Sequence, residues 1–222
     1  MTNQPYLPAV VIEPSSAADA SVVWLHGLGA SGHDFEPIVP ELQLPPSLPV
    51  RFVFPHAPNM PVTINGGMRM PAWYDILSMD IDRKIDSGQL RKSAQQTQAL
   101  IQREIERGIA AERIVVAGFS QGGAVAYEAA LTFPQRLAGL MTMSSYLATH
   151  ETLQIDKVQH DLPIHVFHGT YDPVVPELLG QRAVAWLQEN GFSPQYRTYP
   201  MQHQVCMEQI NHISHWLQTV LK

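Results

Sequence analysis

The sequence predicts an α/β fold: a mostly parallel central sheet with helices on both faces. Three observations carry that reading. Short runs rich in β-branched residues alternate with longer stretches of helical periodicity along the chain, the order that βαβ units produce. The runs are apolar on successive residues, as strands covered on both faces are. At 222 residues and 45% hydrophobic, the chain can bury one substantial core but falls short of two ordinary domains. A single domain over residues 1–222 is expected, with no room for a separate lid domain.

Taken in order, Ser21-Val22-Val23-Trp24-Leu25 and Val50-Arg51-Phe52-Val53-Phe54 read as the first two strands. The connection from His56 to Asp75 holds Pro58, Pro61, Gly66, Gly67 and Pro71 and is expected to lack regular structure, a length that usually marks a functional loop. A helix over Gln89 to Arg107 places Leu90, Ala94, Ile101 and Ile105 on one face. The strand Ile114 to Ala117 then leads into a helix from Gln121 to Thr132. Strands over Leu140 to Met143, Ile164 to Phe167 and Gln195 to Tyr199 follow, with helices over Glu177 to Glu189 and Val205 to Leu221. In such sheets ligands bind at the carboxyl ends of the strands.

Composition narrows the function. The net charge of −6 comes without a block of like charge, and scattered basic residues argue against a nucleic-acid partner. No apolar stretch is long enough to span a membrane, and the segment Met1 to Pro8 lacks the basic and apolar regions of a secretory leader. A cytoplasmic protein without stable membrane insertion is expected. The one cysteine, Cys206, excludes an internal disulfide and suits a reducing compartment. It is expected to be a buried apolar cysteine, since a thiol nucleophile there would leave the serine motif unexplained.

That motif is Gly118-Phe119-Ser120-Gln121-Gly122, set where a strand turns sharply into a helix, the context of a nucleophile elbow. A glycine-rich turn with an N-capping serine would give the same five residues, so the rest of the chain must decide. A serine hydroxyl needs a base within reach, and the base needs a third group to hold it. Asp172 lies in the loop after the strand Ile164 to Phe167, and His203 follows the strand Gln195 to Tyr199. Both therefore emerge on the edge of the sheet that carries the elbow. Singly, Asp172 before a proline reads as a turn initiator and His203 as structural; together, in this order, they make a Ser120, Asp172, His203 triad. His26 and His168 precede glycines at strand ends and read as partners of loop backbone, His56 sits in the long loop, and His212 and His215 lie on the last helix. The pairs His165/His168 and His212/His215 lack a third ligand, so no metal is expected.

Acyl transfer also needs donors for the developing oxyanion. The backbone amide of Gln121, at a helix start, is one. The loop Leu25-His26-Gly27-Leu28-Gly29-Ala30-Ser31-Gly32 offers Leu28 as the second. A phosphate-binding loop is the alternative, but no lysine follows the glycines and no acidic residue ends the next strand.

These residues resemble the carboxylesterase and acyl-protein thioesterase family, compact α/β-hydrolases. The match rests on Leu25-His26-Gly27-Leu28-Gly29, Phe54-Pro55-His56-Ala57-Pro58, Pro61-Val62-Thr63, Trp73-Tyr74-Asp75, the elbow with Gly123-Ala124, His168-Gly169 with Asp172-Pro173-Val174-Val175-Pro176, and Met201-Gln202-His203. The resemblance implies Ser120 as nucleophile, His203 as base, Asp172 as its orienting acid, and the Leu28 and Gln121 amides as oxyanion hole. It allows a homodimer. Ala30 and Gln204 depart from the acidic residue and the serine that many relatives carry there. The expected activity is hydrolysis of short- to medium-chain acyl esters, with thioesters left open as further substrates, without a cofactor. Acyl-protein thioesterase or lysophospholipase activity is the alternative, and a non-catalytic binding protein on the same scaffold the contrasting class. Met60, Met68, Met70 and Trp73 give the long loop an apolar, adaptable surface suited to an acyl chain, against the plainer reading that they pack it onto the core.

Overall fold

Runs that are apolar on both faces can be buried only inside a layered sheet, and the chain builds one. A computed structural model describes residues 6–222. In chain order it contains β1 (Ala9–Ile12), β2 (Ala20–Leu25), α1 (Ile38–Glu41), β3 (Val50–Pro55), β4 (Asn59–Val62), β5 (Met68–Pro71), α2 (Ser87–Glu106), β6 (Ile114–Phe119), α3 (Gln121–Leu131), β7 (Gly139–Met143), β8 (Ile164–Gly169), α4 (Glu177–Glu189), β9 (Gln195–Tyr199) and α5 (Met207–Val220). Among the described residues, seven strands form one sheet in the order β1-β3-β2-β6-β7-β8-β9. From β3 to β9 neighbouring strands run parallel.

The alternation of side chains along each strand divides the core into two layers. Val23, Leu25, Val116, Leu140 and Val166 face α2, α3 and α4. Val22, Trp24, Val115, Ala117, Met141 and Phe167 face α1 and α5. The Asp86 carboxylate caps α2 by accepting from the Gln89 amide at 2.9 Å, satisfying a donor the first turn would otherwise leave free. No helix among the described residues is long and apolar enough to cross a membrane. The leader reading began at Met1, and residues 1–5 of that stretch lie outside the described residues.

Two departures from expectation concern the strands. β1 pairs antiparallel with β3 at the sheet edge; it is four residues long, largely half-buried, and no helix follows it, so neither length nor βα order announces it. The connection from His56 to Asp75 is not without regular structure. β4 and β5 form a two-stranded antiparallel hairpin, with Met60 opposite Met70 and Val62 opposite Met68. Pro61 and Pro71 are tolerated because a two-stranded ribbon leaves one edge of each strand unpaired. Gly66 and Gly67, at φ 65° and 76°, make the reversal that side chains would oppose.

Candidate active site

β6 delivers the chain to Ser120, whose φ of 54° and ψ of −121° cost a non-glycine residue free energy that its surroundings must offset. The backbone is held on both sides. The Ser120 amide donates to the Met143 carbonyl at 2.9 Å, and the Ser145 hydroxyl donates to the Ser120 carbonyl at 2.7 Å. The turn is so tight that a Cβ on Gly118 would stand 2.4 Å from the Gly122 carbonyl oxygen. One on Gly123 would stand 2.4 Å from Ser145 Oγ, so the glycine there makes room for the hydroxyl that clamps the elbow.

β8 and β9 bring the other two residues to the same edge. The Asp172 carboxylate, 7% exposed, accepts at Oδ1 from the amides of Val174 (2.9 Å) and Val175 (2.8 Å). Its Oδ2 lies 2.7 Å from His203 Nδ1. Because a carboxylate can only accept, Nδ1 carries the proton, which leaves Nε2 to accept from the Ser120 hydroxyl at 2.9 Å. Burial acts to raise the Asp172 carboxyl, but the His203 hydrogen bond, the two amides and the His203 charge together hold it below the ordinary aspartate value. The Phe119 ring packs on the imidazole at 4.7 Å between centroids. A hydroxyl bonded to a base, itself bonded to a buried carboxylate, has the geometry of an activated nucleophile.

The loop after β2 reaches this point as well. Register sets Leu25 beside Gly118, and a Cβ on Gly27 would lie 3.4 Å from Ser120 Cβ. Gly27, the residue before Leu28, thus lies against the serine, and Gln121 follows it at the first turn of α3. His26 shapes that loop: its Nε2 accepts from the Ala57 amide at 3.1 Å and its Nδ1–H donates to the Gly27 carbonyl at 2.7 Å. Burial lowers its pKa and favours this neutral form. His168 donates from Nε2 to the Val175 carbonyl at 2.8 Å, and His56 Nδ1 accepts from the Gly32 amide at 3.1 Å, so all three histidines bond loop backbone.

Other parts of the site were not legible from motifs. The Gln121 side chain bridges to the segment after the hairpin, accepting from the Trp73 amide at 2.9 Å and donating to the Tyr74 carbonyl at 2.7 Å. Trp73 is fully buried, and its indole N–H donates to the His26 carbonyl at 2.8 Å; its surface is spent on packing, which places it behind the site wall. Met60 and Met70 are half-buried opposite one another, whereas Met68 is 65% exposed. The hairpin leans on the Leu28 loop through the Gly29 amide, which donates to the Pro71 carbonyl at 2.8 Å. Cys206 is half-buried, not buried, because it stands just before α5 at the end of the loop carrying His203. His212 contacts the sheet through Tyr199, whose hydroxyl lies 2.9 Å from Nδ1. No cluster suited to a metal ion occurs among the described residues. A cleft of about 800 Å³ lies between the 81–84 segment, the loop after β7 and α4, lined by Ile81, Arg83, Tyr146, Leu147, Leu179 and Trp186 among others.

The profile of the phospholipase/carboxylesterase family matches residues 7–221. The chain belongs to that family. Acyl-protein thioesterase 1 of Neurospora crassa is 37% identical over 221 residues, covering 95% of this chain and 90% of that protein. The protein of the same name from Schizosaccharomyces pombe is 41% identical over 187 residues, 83% of this chain and 82% of that one. The crystal structure of Zea mays acyl-protein thioesterase 2 superposes with a TM-score of 0.87 at 28% identity, covering 98% of this chain and all of the other. This family member is an α/β-hydrolase and an enzyme of the serine hydrolase type.

Proposed function

We propose that the protein hydrolyses short- to medium-chain carboxylic esters and thioesters through a Ser120–His203–Asp172 triad. The observation that carries this is the unbroken line from Ser120 Oγ to His203 Nε2 (2.9 Å) and from Nδ1 to Asp172 Oδ2 (2.7 Å), at an elbow whose strained serine is clamped from β7. His203 takes the proton of Ser120 as the oxygen attacks the acyl carbonyl. The tetrahedral oxyanion accepts from the amides of Leu28 and Gln121. Collapse expels the alcohol or thiol, protonated by His203, and water repeats the sequence on the acyl-enzyme. The names of the fungal and plant relatives favour thioesters of acylated proteins as the physiological class. The half-buried Met60 and Met70 supply apolar surface for the acyl chain, each buried methylene contributing about 0.8 kcal/mol.

A fluorophosphonate probe tests this: a covalent adduct mapping to Ser120, absent after Ser120→Ala, is expected. Absence of an adduct would make the protein a binding module on a hydrolase scaffold. Acyl esters and acyl thioesters of graded length then separate the two leaving groups.

A further inference from the structure

Asp172 is oriented by its own turn, and that turn is held from outside. Its Oδ1 accepts from the amides of Val174 and Val175, so any tilt of those peptides moves the carboxylate and with it the imidazole. The peptide joining Val174 to Val175 has its N–H on Asp172 and its carbonyl on the guanidinium of Arg83, which donates through Nη2. A charged donor on the carbonyl polarises the amide and strengthens its N–H as a donor.

Arg83 belongs to a distant excursion. Ile76 and Ile85 bridge its base, and the Leu77 amide donates to the Lys84 carbonyl at 2.8 Å. The excursion carries the exposed side chains of Leu77, Met79 and Ile81. The guanidinium is also held by an aromatic ring that is itself fixed. It lies over the Tyr146 ring at 5.0 Å from the centroid, and the Tyr146 hydroxyl shares a 2.7 Å hydrogen bond with Tyr74, both rings being buried. The excursion's ion pair, Asp82 with Arg182 at 3.0 Å, is 85% and 51% exposed, where such pairs add little.

We propose that Arg83 is a positioning residue: through the Val174–Val175 peptide it seats the carboxylate of Asp172, and so the ring of His203. This rests on the reading of Asp172 as the acid of the triad. Arginine is required because stacking on Tyr146 while donating to a carbonyl uses a flat fork that lysine lacks.

The test is a double-mutant cycle on the full chain with a medium-chain ester, using Arg83→Met, Asp172→Asn and both together. Arg83→Met is expected to lower kcat about tenfold with KM little changed, and to cost less than about twofold in the Asp172→Asn background, where there is no carboxylate geometry left to lose. The deshielded Nδ1 proton of His203 in the proton NMR spectrum should broaden or move in Arg83→Met. Arg182→Gln, which loosens the same excursion at its exposed pair, should leave kcat unchanged. Arg83→Lys should fall between wild type and Arg83→Met, and serves in the cycle if the methionine variant does not fold. Equal losses in both backgrounds, an unmoved Nδ1 proton, or wild-type kcat in Arg83→Met would overturn the proposal. Near-normal kcat in Asp172→Asn would instead overturn the triad reading on which it stands.

Discussion

Replacing His165 by phenylalanine should change how stability depends on pH. His165 sits in β8, 4% exposed, stacked on Phe167 at 3.9 Å and edge-on to Trp216 at 6.0 Å, with no partner for Nδ1 among the described residues. Burial, then the charges of Arg197 and His212, pushes its pKa from 6.5 down to about 4. Between those two values the unfolded chain binds a proton that the folded chain refuses. The stability is therefore intact above pH 6.5 and declines as pH falls towards 4. A span of about 2.5 pH units, at about 1.4 kcal/mol each, makes the full decline about 3.5 kcal/mol. Phenylalanine keeps a stacking ring and removes the proton site, so the variant should lose this decline while sharing every other titration with the parent. Urea unfolding followed by tryptophan fluorescence, from neutral pH to about pH 4.5, should show the variant gaining about 2–3 kcal/mol on the wild type. Profiles that run parallel over the window would refute a buried neutral imidazole.

Ser120→Ala and His203→Ala should each lower kcat by roughly 10³ or more, the double variant being scarcely worse; losses that multiply would contradict a shared mechanism. Asp172→Asn should cost about 10⁴ by removing the acceptor that fixes the imidazole, and a larger loss in Asp75→Asn or Asp161→Asn would name another acid. Met70→Glu should depress kcat/KM for medium-chain esters far more than for acetate esters, whereas an equal drop at all chain lengths would assign the hairpin to stability. Gly123→Ala should abolish fluorophosphonate labelling by driving a methyl into Ser145, and Ser145→Gly in the same chain should restore part of it; no recovery would mean that the overlap lies elsewhere.

Much of the site was legible because α/β order fixes which end of a strand a residue leaves. Ser120, Asp172 and His203 each follow a parallel strand, so their common edge could be read without coordinates, and the same reasoning placed Leu28 beside the elbow. Gln121 was legible only as a backbone donor. Its side-chain grip on Trp73 and Tyr74 joins residues 48 and 47 apart in sequence, which no periodicity encodes. The hairpin was hidden by its prolines and glycines, which read as breakers until an unpaired edge excuses the former and a reversal uses the latter. Trp73 read as surface for a ligand because its burial depends on the His26 carbonyl, a partner from another strand end.

The sequence by itself determined the alternation of strands and helices, the face each strand residue takes, and the order in which the serine, aspartate and histidine reach the sheet edge. These follow from local periodicity and from the one hand that βαβ crossovers adopt. The tertiary structure decided what depends on contacts between distant segments: the clamp of Ser145 on the elbow, the closure of the hairpin against the Leu28 loop, and the seating of the Asp172 turn by Arg83. Each is a hydrogen bond or overlap between groups that only packing brings within about 3 Å, and at that range a residue's neighbours in space, not in sequence, set its role.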